Sequence, residues 1–347
     1  GHCSVHQMFQ AGHILRLNDP AQPPAPSWHD QFFPIAVQMN SFLADNPYRV
    51  EPGIYGVPID VMNLQIFCNT RLLKQVGVGA PPGTWEEFLA IGPRAKAARL
   101  IGLVSGWAEL WLIEALAMSY AVHLMGKERV EATYRGELPY TDTRWVEVLG
   151  LFEQLRDSGL LAEGVVSMVN KRAEQLFANE QAIMAFNGTW GVNVYRGMNP
   201  GLAYGVMMPP PVRPDRPVVT LGGAGSSFMV NAKSPRRDAA VAFLRWLTSE
   251  PQQRELLEAT NNIPANRAAA ADLLPPLAAF ADDMDAVVHP RLFEVQEPSV
   301  VIEAFNKGIQ EILIGESTAQ EVAEAVQAVK EREETRRASR AEPHAIR

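Results

Sequence analysis

Tyr55-Gly56-Val57-Pro58-Ile59-Asp60-Val61-Met62-Asn63-Leu64-Gln65-Ile66-Phe67-Cys68-Asn69 reads as extended chain. Its second half carries apolar side chains on both parities, with little alternation. A strand covered on one face alternates, whereas a strand covered on both does not. The stretch therefore predicts a strand inside an α/β sheet. Helical patterns follow it. Pro81-Pro82-Gly83 makes a turn, and Thr84-Trp85-Glu86-Glu87 opens a helix as a capping box. In residues 142–158, Trp145, Leu149, Phe152 and Leu155 recur at helical steps until Gly159 stops the run. A short helix over 171–179 leads to a buried strand over 182–186, which Asn187-Gly188 is expected to end. Strands alternating with helices indicate α/β architecture.

The C-terminal half adds three expectations. Residues 209–217 hold five prolines in nine positions and cannot enter a sheet interior, so they form a loop. Residues 221–231, with Gly222, Gly223 and Gly225, read as one glycine-rich strand. Ser234-Pro235 is expected to cap the next helix, which would bury Ala239, Ala240, Phe243, Leu244 and Leu247. Residues 299–314 and 317–330 read as a terminal helix pair split by Gly315, with Ser317 and Gln320 as a second capping box and a charged, frayed tail beyond Lys330. The proline-rich stretch at 20–34 reads as a surface connection.

Composition bounds the function. The 347 residues suggest two domains, or one large one, at about 150 residues each. A hydrophobic share of 47% and a charged share of 20% exclude a disordered or collagen-like chain. Lys and Arg number 31 against 39 Asp and Glu, a net charge of −8, which argues against nucleic acid as a partner. Two cysteines, Cys3 and Cys68, cannot build a disulfide scaffold. The longest apolar run, 110–125, is interrupted by Glu114 and His123 and falls short of the roughly 20 residues that span a bilayer, so it reads as a buried helix.

Enzyme chemistry has little to stand on. No G-x-S-x-G elbow, Walker motif, dinucleotide fingerprint or H-E-x-x-H occurs, and Gly222-Gly223-Ala224-Gly225 has the wrong spacing for a phosphate loop. His2, Cys3 and His6 lie close together, but no second ligand cluster accompanies them, so no metal or other cofactor is expected. The carboxylate pairs Glu86/Glu87 and Asp282/Asp283 read as solvated charge. Tryptophans beside chain reversals are more informative. Trp190 follows a buried strand, in the place where open α/β sheets bind ligands. An indole offers a flat apolar face and one N–H donor, which suits the C–H face of a pyranose ring. Trp107 and Trp111 follow the 101–104 strand in the same way, although Trp111 lies within the apolar helix and reads as core.

These residues also carry a resemblance. Tyr55-Gly56-Val57-Pro58, then Phe67-Cys68-Asn69-Thr70-Arg71-Leu72-Leu73 and Pro81-Pro82-Gly83-Thr84-Trp85-Glu86-Glu87-Phe88, resemble successive motifs of the family 1 extracellular solute-binding proteins, the sugar-binding components of ATP-binding-cassette importers. Residues 177–184, Asn187-Gly188-Thr189-Trp190, residues 228–235 and Asn262-Ile263-Pro264-Ala265 continue the pattern in order, over roughly 8–330. The resemblance implies a two-lobe periplasmic-binding-protein fold of type II, with hinges near 59–63 and 221–226. Lobe 1 would hold 1–60 and 226–275, lobe 2 would hold 64–220 and 276–330, and 331–347 would be a charged tail.

It further implies a monomeric, non-enzymatic, periplasmic or otherwise extracytoplasmic receptor that closes on a carbohydrate and docks a membrane permease. Trp190 falls on the family's stacking tryptophan, Asp60 and Asn63 flank the first hinge, and Gly223 and Gly225 lie on the second hinge strand; with Trp107, read from its place after a strand, these are the expected ligand-binding positions. The departures are specific. The family's first βαβ unit is not found, so lobe 1 reads as truncated. Met62 stands at a hinge carboxylate of maltose-binding protein, Ile302 at its second stacking tryptophan, and Cys3-Ser4 at an Asp-Arg pair. Maltose is therefore not the expected ligand. A carbohydrate-active hydrolase or lyase, and the same fold binding a glycerophosphodiester or polyamine, are the alternatives.

Overall fold

The computed structural model describes Phe9 and residues 12–17, 28–44, 46, 49–273 and 275–341. His2, Cys3 and His6, and residues 20–27 of the proline-rich stretch, lie outside the described residues. The chain runs through α1 (Pro34–Met39), β1 (Ser41–Phe42), β2 (Gly53–Ile54), β3 (Gly56–Pro58) and β4 (Asp60–Asn69). It continues through α2 (Thr70–Gln75), α3 (Trp85–Leu89), α4 (Ile91–Ala97), β5 (Ile101–Val104), α5 (Leu110–Met125), α6 (Lys127–Tyr134), α7 (Thr143–Asp157), α8 (Asn170–Ala178) and β6 (Ala182–Gly188). Next come α9 (Gly191–Met198), β7 (Tyr204–Met207), β8 (Thr220–Ala224), β9 (Ser227–Met229), α10 (Arg237–Leu247) and α11 (Glu250–Thr260). The last elements are β10 (Ile263–Pro264), α12 (Leu277–Asp282), β11 (Val287–Val288), α13 (Ser299–Ile314) and α14 (Ala319–Ala341).

The chain divides into two compact units. Unit 1 takes the chain up to Leu64, with Gly188–Asn193 and Gly222–Glu294. Unit 2 takes Gln65–Asn187, Val194–Leu221 and the chain from Val295 onward. The long strand read from the sequence is β4, and the chain passes from one unit to the other within it.

In unit 1 the first half of β4 pairs antiparallel with β8 (Val61 opposite Ala224, Met62 opposite Gly223) and with β10 (Val61 opposite Ile263). The expected single strand over 221–231 is broken at Gly225-Ser226. β8 pairs with β4, while β9 pairs with β3 (Val57 opposite Phe228). Both partners bend at the same point. Ile59 N–H donates to Ser226 O at 2.9 Å, and Gly225 N–H donates to Asp60 O at 3.0 Å.

Two further expectations fail in this unit. Ser234-Pro235 does not cap α10. Asn231 and Ser234 instead each accept a backbone N–H two residues ahead, from Lys233 and Arg236, and these turns delay the helix to Arg237. Such short polar side chains close local turns as readily as they cap helices. Phe243, expected inside, is 53% exposed, because α10 turns Leu244 inward and leaves Phe243 and Trp246 on the other side.

In unit 2 the second half of β4 pairs antiparallel with β7 (Phe67 opposite Val206), and β5 and β6 run parallel (Leu103 opposite Met184). Phe67 anchors the core with edge-on Phe177 and Tyr195 rings at 6.2 and 5.0 Å. β6 runs on through Asn187 and Gly188, because Asn187 satisfies its side chain internally, bonding Glu174 at 3.0 Å and Tyr195 at 3.2 Å. The helix starts follow the sequence closely. Thr84 Oγ1 accepts Glu87 N–H at 3.2 Å, while the Glu87 carboxylate reaches Gly83 N–H, one residue before the residue a capping box would predict. Asp142 caps α7.

The second capping box sits at Thr318 and Glu321, one residue beyond the Ser317–Gln320 expectation, with both reciprocal bonds formed. α14 does not fray at Lys330. It continues to Ala341, because Lys330 is buried against Glu297 at 2.8 and 2.9 Å and Glu333 pairs with Arg336 and Arg337.

Candidate functional site

Five of the six residues singled out from the sequence fall in unit 1. Trp190 directly follows β6 and is half-exposed. Its indole lies over Gly188, where an added Cβ would meet the ring carbons at 2.0 to 2.5 Å, so this position needs a residue without a side chain. Thr189 N–H donates to Asn63 O at 3.1 Å, which ties the turn carrying the indole to β4.

Asp60 opens β4. One carboxylate oxygen accepts Ser226 N–H, and the other accepts the Asn262 amide at 3.0 Å. Burial pushes its pKa up, and these same bonds pull it back down. Asp60 therefore pins the bend between β8 and β9. Gly225 is exposed beside it, and a Cβ there would stand 2.7 Å from Asp60 Oδ1. Asn262 is joined on its other side by Asn261, whose amide reaches Asn193 Oδ1 at 3.3 Å.

Asn63 and Gly223 face different work. Asn63 is fully buried and donates to Phe280 O at 2.8 Å, and its Oδ1 has no hydrogen-bond partner among the described residues. Gly223, at φ 145°, lets Met39 approach, and Met39 Sδ accepts Ala224 N–H at 3.2 Å. Both are engaged in bonds and packing inside unit 1.

Trp107 lies in unit 2. Its ring is enclosed against Phe152 at 6.2 Å, and its N–H has no partner among the described residues. Trp111, read from the sequence as core, is instead 40% exposed at the start of α5, while the rest of that helix is almost wholly buried. An all-apolar helix gives no periodic signal for which end emerges. Asn262 and Ser226 were also not singled out. Their partner Asp60 is about 200 and 166 residues away in sequence, and no local pattern encodes that pairing.

Unit 1 carries a partly exposed indole at Trp190 and, separately bonded, the Asp60 carboxylate with the Asn262 amide. Cys68 is fully buried, and burial pushes its thiol up to about 12, so it supplies no thiolate near neutral pH. Among the described residues no group of three or more His, Cys, Asp or Glu could hold a metal ion.

Residues 5–285 match the family model of the bacterial extracellular solute-binding proteins. This chain belongs to that family. It is a family of binding proteins and not of enzymes, so the hydrolase or lyase alternative is set aside.

As a solute-binding protein it is 21% identical over 237 residues to the multiple sugar-binding protein of Streptococcus mutans, covering 67% of this chain and 56% of that one. It is likewise 21% identical over 252 residues to the galactooligosaccharide-binding protein of Bacillus subtilis, covering 72% and 58%. The chain thus spans little more than half the length of these curated relatives. Among solved structures, a chitin oligosaccharide binding protein superposes with a TM-score of 0.75 at 22% identity, over 93% of this chain and 79% of that one. RafE in complex with raffinose superposes at 0.74 and 16%, over 94% and 81%. The fold is that of the type II periplasmic sugar-binding proteins.

Proposed function

We propose that this chain is the solute-capturing receptor of an ATP-binding-cassette importer, with a sugar or oligosaccharide as its cargo. In this reading it works as a monomer outside the cytoplasm, hands the solute to a membrane permease, and has no nucleic-acid partner. One observation carries the proposal: a half-exposed indole, Trp190, held flat over Gly188 at the end of a buried strand in a chain of this family. A flat apolar face of this kind stacks on the C–H face of a sugar ring, and neighbouring polar groups take its hydroxyls. Asp60, with Gly225 exposed beside it, would supply such groups, while Asn63 and Gly223 hold the frame within unit 1. Relatives named for raffinose, galactooligosaccharide and chitin oligosaccharide binding support a carbohydrate class of ligand.

The test is thermal denaturation of the purified chain against raffinose, stachyose, chitooligosaccharides and maltodextrins. A ligand that binds only the folded state stabilises it by about 2.7 kcal/mol at a hundred times its Kd. A raised melting midpoint with at least one saccharide is expected. No shift across the panel, with the folded protein verified by circular dichroism, would refute the carbohydrate reading.

A further inference from the structure

The segment that carries Trp190, Gly188–Asn193, is held from two sides inside unit 1. On one side Thr189 N–H donates to Asn63 O at 3.1 Å, and Val192 N–H closes back on Thr189 O at 3.1 Å. On the other side stands the connection between α11 and β10. Asn261 Nδ2 donates to Asn193 Oδ1 at 3.3 Å, and the next residue, Asn262, donates to Asp60 at 3.0 Å.

That connection is itself fixed at both ends. Asn261 N–H closes the end of α11 onto Leu257 O at 2.8 Å. Just beyond it, β10 pairs with the first half of β4, Ile263 opposite Val61 and Pro264 opposite Asp60, and Ala265 N–H donates to Ile59 O at 3.1 Å. Asn261 therefore presents its amide from a rigid support, as a side chain must if it is to orient another.

The residue type at 261 is informative. Its φ is 51°, in the left-handed region. A helix that ends in this conformation ordinarily uses glycine, which has no Cβ to crowd the backbone. Asparagine is tolerated there better than most side chains, yet it gains over glycine only where its amide is used. Here the amide is used, and its partner belongs to the segment that carries the indole.

We infer that Asn261 is a positioning residue for ligand binding. Through Asn193 it holds the Trp190 segment, so that the indole keeps its place over Gly188. The inference rests on the reading of Trp190 as a sugar-stacking face, and it gives Asn261 a role through that ring rather than on the solute.

The experiment compares the full chain with Asn261→Gly and Asn193→Ala. Glycine at 261 keeps the left-handed backbone and removes only the amide, so the fold is retained. Titration calorimetry with raffinose and with chitooligosaccharide should show each variant binding about threefold more weakly than wild type, the loss expected for a partly exposed hydrogen bond. The melting midpoint of Asn261→Gly should not fall. Near-ultraviolet circular dichroism follows the ring without any ligand, because an aromatic side chain contributes strongly there only when its packing is fixed. The Trp190 contribution is the difference between a protein and its Trp190→Ala form, and it should be smaller in the Asn261→Gly background than in wild type. An unchanged Trp190 contribution, or unchanged affinity for a saccharide that binds wild type, overturns the inference. If neither saccharide binds wild type, the sugar-stacking reading has failed, and the Trp190 contribution alone decides whether Asn261 holds the ring.

Discussion

Trp190 and Gly188 make the sharpest residue-scale claim. Truncating Trp190 to Ala removes the stacking face, and an aromatic contact of this kind is worth about 1 kcal/mol beyond its buried area. Ligand affinity in the Trp190→Ala chain should fall by that much or more, with the melting midpoint of the free protein little changed. Gly188→Ala attacks the same indole without touching it. The new methyl would arrive 2.0 Å from the ring, so the indole must swing away. Calorimetry should then show Gly188→Ala losing ligand affinity in parallel with Trp190→Ala, and unaltered affinity in the glycine variant would mean that the ring's pose does not matter.

The residue scale is also where the sequence was least informative. Trp190 could be singled out because a strand and a turn precede it. Asp60 could be singled out only by resemblance, since its role depends on Ser226 and Asn262, which only the fold brings near. Trp111 was misplaced because an apolar helix hides its own exposed end.

Among the elements, α5 and the proline-rich loop illustrate how one side chain can hold a segment with few amide donors. His123 Nδ1 donates to Pro217 O at 2.9 Å, while Nε2 accepts Arg213 N–H at 3.1 Å and Val212 N–H at 3.2 Å. The ring is thus fixed as the Nδ1–H tautomer by its neighbours. His123→Ala leaves these part-buried backbone groups without their protein partner, at no more than about 1–3 kcal/mol each and less where water reaches them. A drop of about 1–2 kcal/mol in urea-unfolding stability is expected, with faster proteolysis within residues 209–217 than elsewhere. The loop itself was readable, because five prolines forbid a strand. Its clasp was not, because His123 lies 94 residues from Pro217.

The last helix supplies the matching test for a buried charge. Glu297 and Lys330 have side chains 0% and 3% exposed. Lys330→Met would strand the carboxylate and cost about 3–5 kcal/mol, whereas the double replacement Glu297→Leu with Lys330→Met should recover much of that loss. A double variant no more stable than the single one would show that the pair contributes by more than mutual neutralisation.

At the scale of the whole molecule, the alternation of strand and helix and the double-faced apolar run of β4 were enough to place the chain in the α/β class, since both follow from local burial patterns. The passage of β4 from one unit to the other was available only through resemblance, because nothing in a strand's own residues says which partners its two halves will find. Stability against pH follows from a group that neither reading used. Burial, with help from the Arg291 charge, lowers the His289 pKa to about 4, and its Nδ1 accepts Arg291 N–H at 3.1 Å. The folded state therefore refuses a proton that the unfolded chain takes near pH 6.5. Between those two values the unfolded chain binds more protons, so stability falls as pH falls from about 6.5 toward 4, and it is at its full value above that window. Melting midpoints across pH 4 to 8 should decline on the acid side for the wild-type chain and decline less for His289→Gln, which keeps a side-chain acceptor without a proton to gain. Parallel profiles for the two proteins would place the acid sensitivity elsewhere, with the buried carboxylates as the remaining source.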